Sequence, residues 1–112
     1  MEDPTFLTKK YANFGNIYRV QNMGRQAIRY YILSLDRCRK GNLESAQGEI
    51  LNNLGLVCYD INNFELALDL FKKINIENEN GNIWLNIGAV HFEKGAYDKT
   101  VLIGESALTS LI

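Results

Sequence analysis

Proline occurs once in this chain, histidine once, tryptophan once and cysteine twice. Each shortage closes off a class of protein. A single proline, Pro4, argues against disordered or Pro-rich linker segments. Two cysteines, Cys38 and Cys58, are too few for a disulfide framework and read as free thiols of a reducing cytoplasm. One histidine, His91, leaves little for imidazole catalysis or a metal centre, and no phosphate loop, metal-ligand spacing or nucleophile motif appears. Neither sign of charge dominates: 12 basic against 13 acidic residues give −1, with no basic patch for nucleic acid or an anionic membrane. No apolar run approaches the ~20 residues that span a bilayer, and the acidic start Met1-Glu2-Asp3-Pro4 is no secretory signal. No strand pattern competes either; Tyr30-Tyr31-Ile32-Leu33 has the composition of one, but its flanks continue a helical period.

What the 112 residues do contain is self-similarity. The stretch Leu51-Asn52-Asn53-Leu54-Gly55-Leu56-Val57-Cys58-Tyr59 is copied twice. Residues 11–18 read Tyr-Ala-Asn-Phe-Gly-Asn-Ile-Tyr, and residues 84–91 read Trp-Leu-Asn-Ile-Gly-Ala-Val-His. In each copy an Asn (Asn13, Asn53, Asn86) precedes a Gly (Gly15, Gly55, Gly88) by two positions, and the glycines lie 40 and then 33 residues apart. A period of that size marks an array of stacked supersecondary units.

Helical signals surround these markers. Asp3 is an N-cap acceptor and Pro4 a first-turn residue. Phe6, Leu7, Tyr11, Phe14, Ile17 and Tyr18 then recur at spacings of three and four. Asn22-Met23-Gly24 breaks this helix. The second carries Ala27, Ile28, Tyr31, Ile32 and Leu35 and fades into Arg37-Cys38-Arg39-Lys40 before the stop at Gly41-Asn42. The third runs from about Leu43 to Ile61 and turns at Asn62-Asn63; the fourth holds Phe64, Leu66, Ala67, Leu70, Phe71 and Ile74. The polar stretch from Asn75 to Gly81 reads as a loop. A fifth helix with Ile83, Trp84, Ile87, Val90, His91 and Phe92 is expected to end at Lys94-Gly95, and a sixth to run from about Tyr97 onward.

Three helix-turn-helix units with these residues resemble tetratricopeptide repeats. Tyr11, Phe14-Gly15, Tyr18, Ala27 and Tyr31 fall on that family's pattern in the first unit; Leu51, Leu54-Gly55, Cys58, Ala67 and Phe71 do so in the second; Trp84, Ile87-Gly88, His91, Thr100 and Ala107 align in the third. Thr100 replaces the usual alanine, Gly104 stands where an aromatic is usual, and the proline that commonly follows the second helix is absent from every unit. The resemblance implies an all-α fold. It would be a single domain over residues 1–112, an α-solenoid of three antiparallel hairpins (about 8–41, 42–80 and 81–112) winding into a right-handed superhelix. The longer first spacing is similar to that of scaffold repeats that organise cell polarity and motor cargo.

The family's first helices line a concave groove, so the resemblance places Asn13, Asn53 and Asn86 there as a ladder for the backbone of an extended peptide. A carboxamide offers both donors and acceptors for that task. Asn16, Asn52, Leu56, Tyr59, Asn82 and Phe92 join the expected peptide-binding surface, with Lys9, Ala12, Arg19, Glu49, Leu85, Ala89 and Glu93 as neighbours. A clamp for acidic chaperone tails would match Asn16 and Asn53, but Ala12, Asn82 and Asn86 hold the places of its three cations. His91 and Cys58 are expected in the core, and Cys38 on the surface. Glu77 and Glu79 have no second liganding cluster. The expected function is a scaffold or adaptor that binds a protein or peptide partner in the groove, with no enzyme activity and no cofactor. A second reading is an assembly element that oligomerises through Val101, Leu108 and Leu111 of the last helix, whose apolar residues lack the polar cap that ends repeat arrays. That missing cap reads as a segment of a longer array. The sensor part of a bacterial peptide-responsive regulator is a third reading, against which stands the lack of a DNA-binding segment.

Overall fold

A computed structural model describes the backbone of residues 3–74 and 82–111, and side chains for 3–74 and 83–99. Among the described residues there are five α-helices and no strand: α1 (Pro4–Val20), α2 (Gly24–Lys40), α3 (Glu44–Asp60), α4 (Phe64–Lys72) and α5 (Asn82–Leu111). The Asp3 carboxylate accepts from the Thr5 N–H at 3.0 Å, and Pro4 occupies the first turn, as the start of the chain predicts.

The first three connections are one turn used three times. Asn22, Asn42 and Asn62 have φ of 59°, 54° and 64°, the left-handed conformation that ends helices. In each, the asparagine N–H bonds back to the carbonyl three residues earlier, and the next N–H reaches five residues back: Met23 to Tyr18 (2.9 Å), Leu43 to Cys38 (3.0 Å) and Asn63 to Cys58 (2.8 Å). These two bonds satisfy carbonyls that the helix end would leave bare. With α1, α2 and α3 each 17 residues long, the chain reverses direction every 20 residues. The 40-residue glycine spacing is therefore two equal helix-plus-turn units.

Packing follows chain order: α1 on α2, α2 on α3, α3 on α4 and α4 on α5, with lighter contact of α1 to α3 and α3 to α5. Within each of the first two hairpins a glycine receives a ring. A Cβ built on Gly15 would lie 2.5 Å from Cε1 of Tyr31, and one on Gly55 would lie 2.6 Å from Cε1 of Phe71. Both rings are fully buried, as are Ala27 and Ala67. The core runs on through Leu35, Cys38, Ile50, Leu51, Leu54, Val57, Cys58, Leu68 and Leu70 to Ile83 and Val90 of α5. Its two buried polar side chains are satisfied: Thr8 donates to the Pro4 carbonyl and Ser34 to the Thr8 carbonyl, each at 2.7 Å. The apolar residues of α1 are less covered, with Phe6, Phe14 and Ile17 exposed.

The third unit differs from its expected form. Lys94-Gly95 does not end a helix, because α5 continues for 30 residues through it. The face of α5 formed by Ile83, Ile87, Val90, Lys94 and Tyr97 meets the rest of the molecule; Lys94 pairs with Glu65, and Tyr97 lies edge-on to Phe64 at 6.0 Å. Among the described residues nothing covers the face of Gly88, where a built Cβ meets no atom within 4 Å. His91 accordingly lies exposed rather than in the core. Cys38 is corrected in the opposite sense: it is fully buried, and its Sγ–H donates to the Leu43 carbonyl at 2.9 Å. The turn at Asn42 folds that carbonyl back over the thiol.

Candidate functional site

Four asparagines bond in two pairs across helices, and neither pair joins two of Asn13, Asn53 and Asn86. Asn53 Nδ2 of α3 donates to Asn16 Oδ1 of α1 at 3.5 Å, a long bond that a competing partner displaces readily. Asn86 Nδ2 of α5 donates to Asn52 Oδ1 of α3 at 2.8 Å. Asn16 Oδ1 also accepts from the Tyr31 hydroxyl at 2.5 Å, which fixes its orientation. Burial pushes the Tyr31 hydroxyl up, with Arg19 opposing and Asp60 adding to the rise. One bond per carboxamide leaves Asn52, Asn53 and Asn86 with unused donors and acceptors. Asn13 lies exposed on the same helix as Asn16.

An ion pair ties the ends of α1 and α3: Arg19 Nε to Asp60 Oδ2, 3.1 Å. It borders an open recess of about 330 Å³ lined by Asn22, Tyr59, Asp60, Asn62, Phe64 and Glu93. Tyr59 is half-buried against Phe64, ring centroids 6.2 Å apart, and its hydroxyl is pushed up by burial and by the charges of Glu93 and Asp60. Leu56 packs on the core, whereas Phe92 and Leu85 are 75% and 72% exposed on α5. The expected residues thus divide into two carboxamide pairs, an aromatic–acidic recess at Tyr59, and exposed apolar side chains on α5. The Asn82 side chain and those of Val101, Leu108 and Leu111 lie outside the described side chains, as do Glu77 and Glu79.

Sequence reasoning had Arg19 and Glu93 as groove neighbours but missed Asp60, 41 positions from its partner, and the Tyr31 hydroxyl that holds Asn16. The signal for Tyr31 was its hydroxyl, which Phe71 lacks at the matching place in the second hairpin. Neither thiol is poised for chemistry: burial pushes both Cys38 and Cys58 up, with Arg39 opposing at Cys38. Among the described residues no group of three His, Cys, Asp or Glu stands together as a metal site, and no helix is long and apolar enough to cross a membrane. No family model, curated protein or solved structure matches the chain.

Proposed function

We propose that the chain is a tetratricopeptide-like array, coiled as a right-handed solenoid, that binds an extended segment of a partner protein as a non-enzymatic scaffold or adaptor. The observation that supports this reading best is the pair of cross-helix carboxamide bonds, Asn16 with Asn53 and Asn52 with Asn86. They put carboxamides of α1, α3 and α5 in two cross-helix pairs with spare hydrogen-bonding capacity. Such groups suit a peptide backbone, whose N–H and C=O groups alternate along its length.

Magnitudes assign the work. Each neutral hydrogen bond nets about 0.5–1.5 kcal/mol, so three fall short of the roughly 8 kcal/mol of a micromolar complex. One or two partner side chains buried at about 1.5–3 kcal/mol each close most of that gap, and Leu85, Phe92 and the Tyr59 recess supply apolar surface for them. The carboxylates of Asp60 and Glu93 disfavour an acidic tail there. This agrees with the cation-free positions Ala12, Asn82 and Asn86 and argues against a chaperone-tail adaptor. Two buried free thiols suit a reducing, cytoplasmic setting.

Selection from a random-peptide display library tests the groove. Peptides recovered on the native chain should lose about five- to thirtyfold in affinity on Asn53→Ala, from roughly one to two lost hydrogen bonds at about 1 kcal/mol each, with the helical circular-dichroism signal unchanged. Equal affinity for the variant, or no binding peptide at all, contradicts the groove reading. The exposed Trp84, Leu85 and Phe92 favour a second reading, assembly through α5.

A further inference from the structure

The internal register of the chain says what should lie on the bare face of α5. Gly15, Gly55 and Gly88 are matching positions, and seven residues beyond each stand Asn22, Asn62 and Gly95. The two asparagines are left-handed turns at which the next helix folds back. That helix then delivers Tyr31 or Phe71 onto the glycine. Gly95 is the residue type best suited to such a turn, yet it lies inside α5 as ordinary helix. The helix that would cover Gly88 is the continuation of α5 itself, pointing away. Among the described residues this leaves bare Trp84, 59% exposed, with His91 and Gly88 beside it.

We infer that a second copy of this chain covers this face, the two α5 helices running antiparallel about a two-fold axis just past Gly95. This deepens the assembly reading above and does not depend on the peptide groove. Two arrangements give the Gly88 face its missing helix: closure of one chain on itself at Gly95, or exchange between two chains. They make the same contacts, since residue 104 meets residue 88 in both. They differ at the hinge. Closure breaks α5 at Gly95 and gives up its intrahelical hydrogen bonds, whereas exchange keeps α5 continuous as observed. Closure also has less to gain than the first two hairpins did. Gly104 holds the place of Tyr31 and Phe71, so no ring fills the space over Gly88. Exchange of an identical element between protomers needs no new complementarity.

The single tryptophan reports the outcome directly. As total protein is raised through the monomer–dimer transition followed by sedimentation, Trp84 emission should move to shorter wavelength. In a His91→Cys/Ile103→Cys variant, a short bis-maleimide should join two chains. These positions match Tyr18 and Tyr30, whose rings stack at 5.4 Å in the first hairpin. The unmodified chain is the control, because its own thiols are buried. Buried-tryptophan emission at every concentration, with the cross-link inside one chain, overturns the inference in favour of closure. A monomer with exposed-tryptophan emission throughout overturns it together with the assembly reading. A dimer with neither the shift nor the cross-link leaves assembly standing and overturns the antiparallel exchange. The emission series uses the unmodified chain, so it decides even if the double variant fails to fold.

Discussion

One methyl group added at Gly55 would put a Cβ within 2.9 Å of three ring atoms of Phe71, and the ring has no free side to move toward. Overpacking of this kind costs about 1–3 kcal/mol. Gly15→Ala meets the same obstacle at Tyr31, whose hydroxyl is also held by Asn16. Gly88→Ala should have the opposite sign. Among the described residues nothing lies within 4 Å of its Cβ, and alanine exceeds glycine in a helix interior by about 1 kcal/mol. Urea denaturation of the dilute monomer checks this; equal shifts for the three variants would mean that the glycines do not differ in packing. The buried ionisable groups set a second expectation. Burial raises both thiols and the hydroxyl of Tyr31. A group whose folded pKa exceeds its unfolded one stabilises the fold below the unfolded value, and that contribution disappears as pH climbs through the folded value. The urea midpoint should therefore hold steady near neutrality and fall once pH passes the ordinary thiol range at about 8.5. A midpoint that rises between pH of about 8 and 10 would contradict the protonated, buried state of these groups.

At the scale of the helices, the three asparagine turns make a matched series. A left-handed backbone costs a non-glycine residue about 1–2 kcal/mol, less for asparagine, whose short amide bonds locally. Asn42→Ala should thus lower stability by about 1 kcal/mol and Asn42→Gly by little or nothing. The same order should hold at Asn22 and Asn62, read from thermal midpoints; an alanine variant as stable as the glycine one would remove the turn from the account. This repetition was legible in the chain as Asn22, Asn42 and Asn62 at 20-residue intervals, but the glycine motifs are the louder signal and they recur only once per hairpin. Helices α1 to α4 were readable because their apolar spacing, caps and turn residues agree with one another. The expected break at Lys94-Gly95 had the turn residue but not the packing. A turn there is stabilised only if the following helix brings a ring to Gly88, and Gly104 brings none. Among the site residues, motif equivalence put Asn13, Asn53 and Asn86 at matching places, whereas the bonded pairs are Asn16 with Asn53 and Asn52 with Asn86. It could not foretell that Asn53 pairs with Asn16 rather than with Asn13, because the offset of α3 from α1 is set by how both pack on α2, which the repeated motif does not encode.

At the scale of the molecule, the structure measures 64 × 29 × 19 Å with a radius of gyration of 17.0 Å, against about 13 Å for an equiaxed domain of similar length. In so elongated a stack each helix is stabilised chiefly by its neighbours, and stability is close to a sum of local interfaces. α2 and α3 have packed neighbours on both sides, whereas the described side chains of α5 hold it along one face, through Ile83, Ile87, Val90, Lys94 and Tyr97. Opening of α5 should therefore cost much less than global unfolding. At low concentration its amides should lose deuterium protection well before those around Tyr31 and Val57. Association stabilises what it covers by mass action, so a second chain on the Gly88 face should raise protection in α5 as concentration rises and leave α2 and α3 unchanged. Hydrogen–deuterium exchange at two concentrations either side of the sedimentation midpoint measures both effects in one experiment. If α5 were as protected as α3 in the dilute protein, its face would already be covered within one chain and the local-interface account of this stack would fail. If protection rose evenly over all helices, the second chain would be acting on the whole fold and not on the surface that the register of Gly15, Gly55 and Gly88 leaves bare.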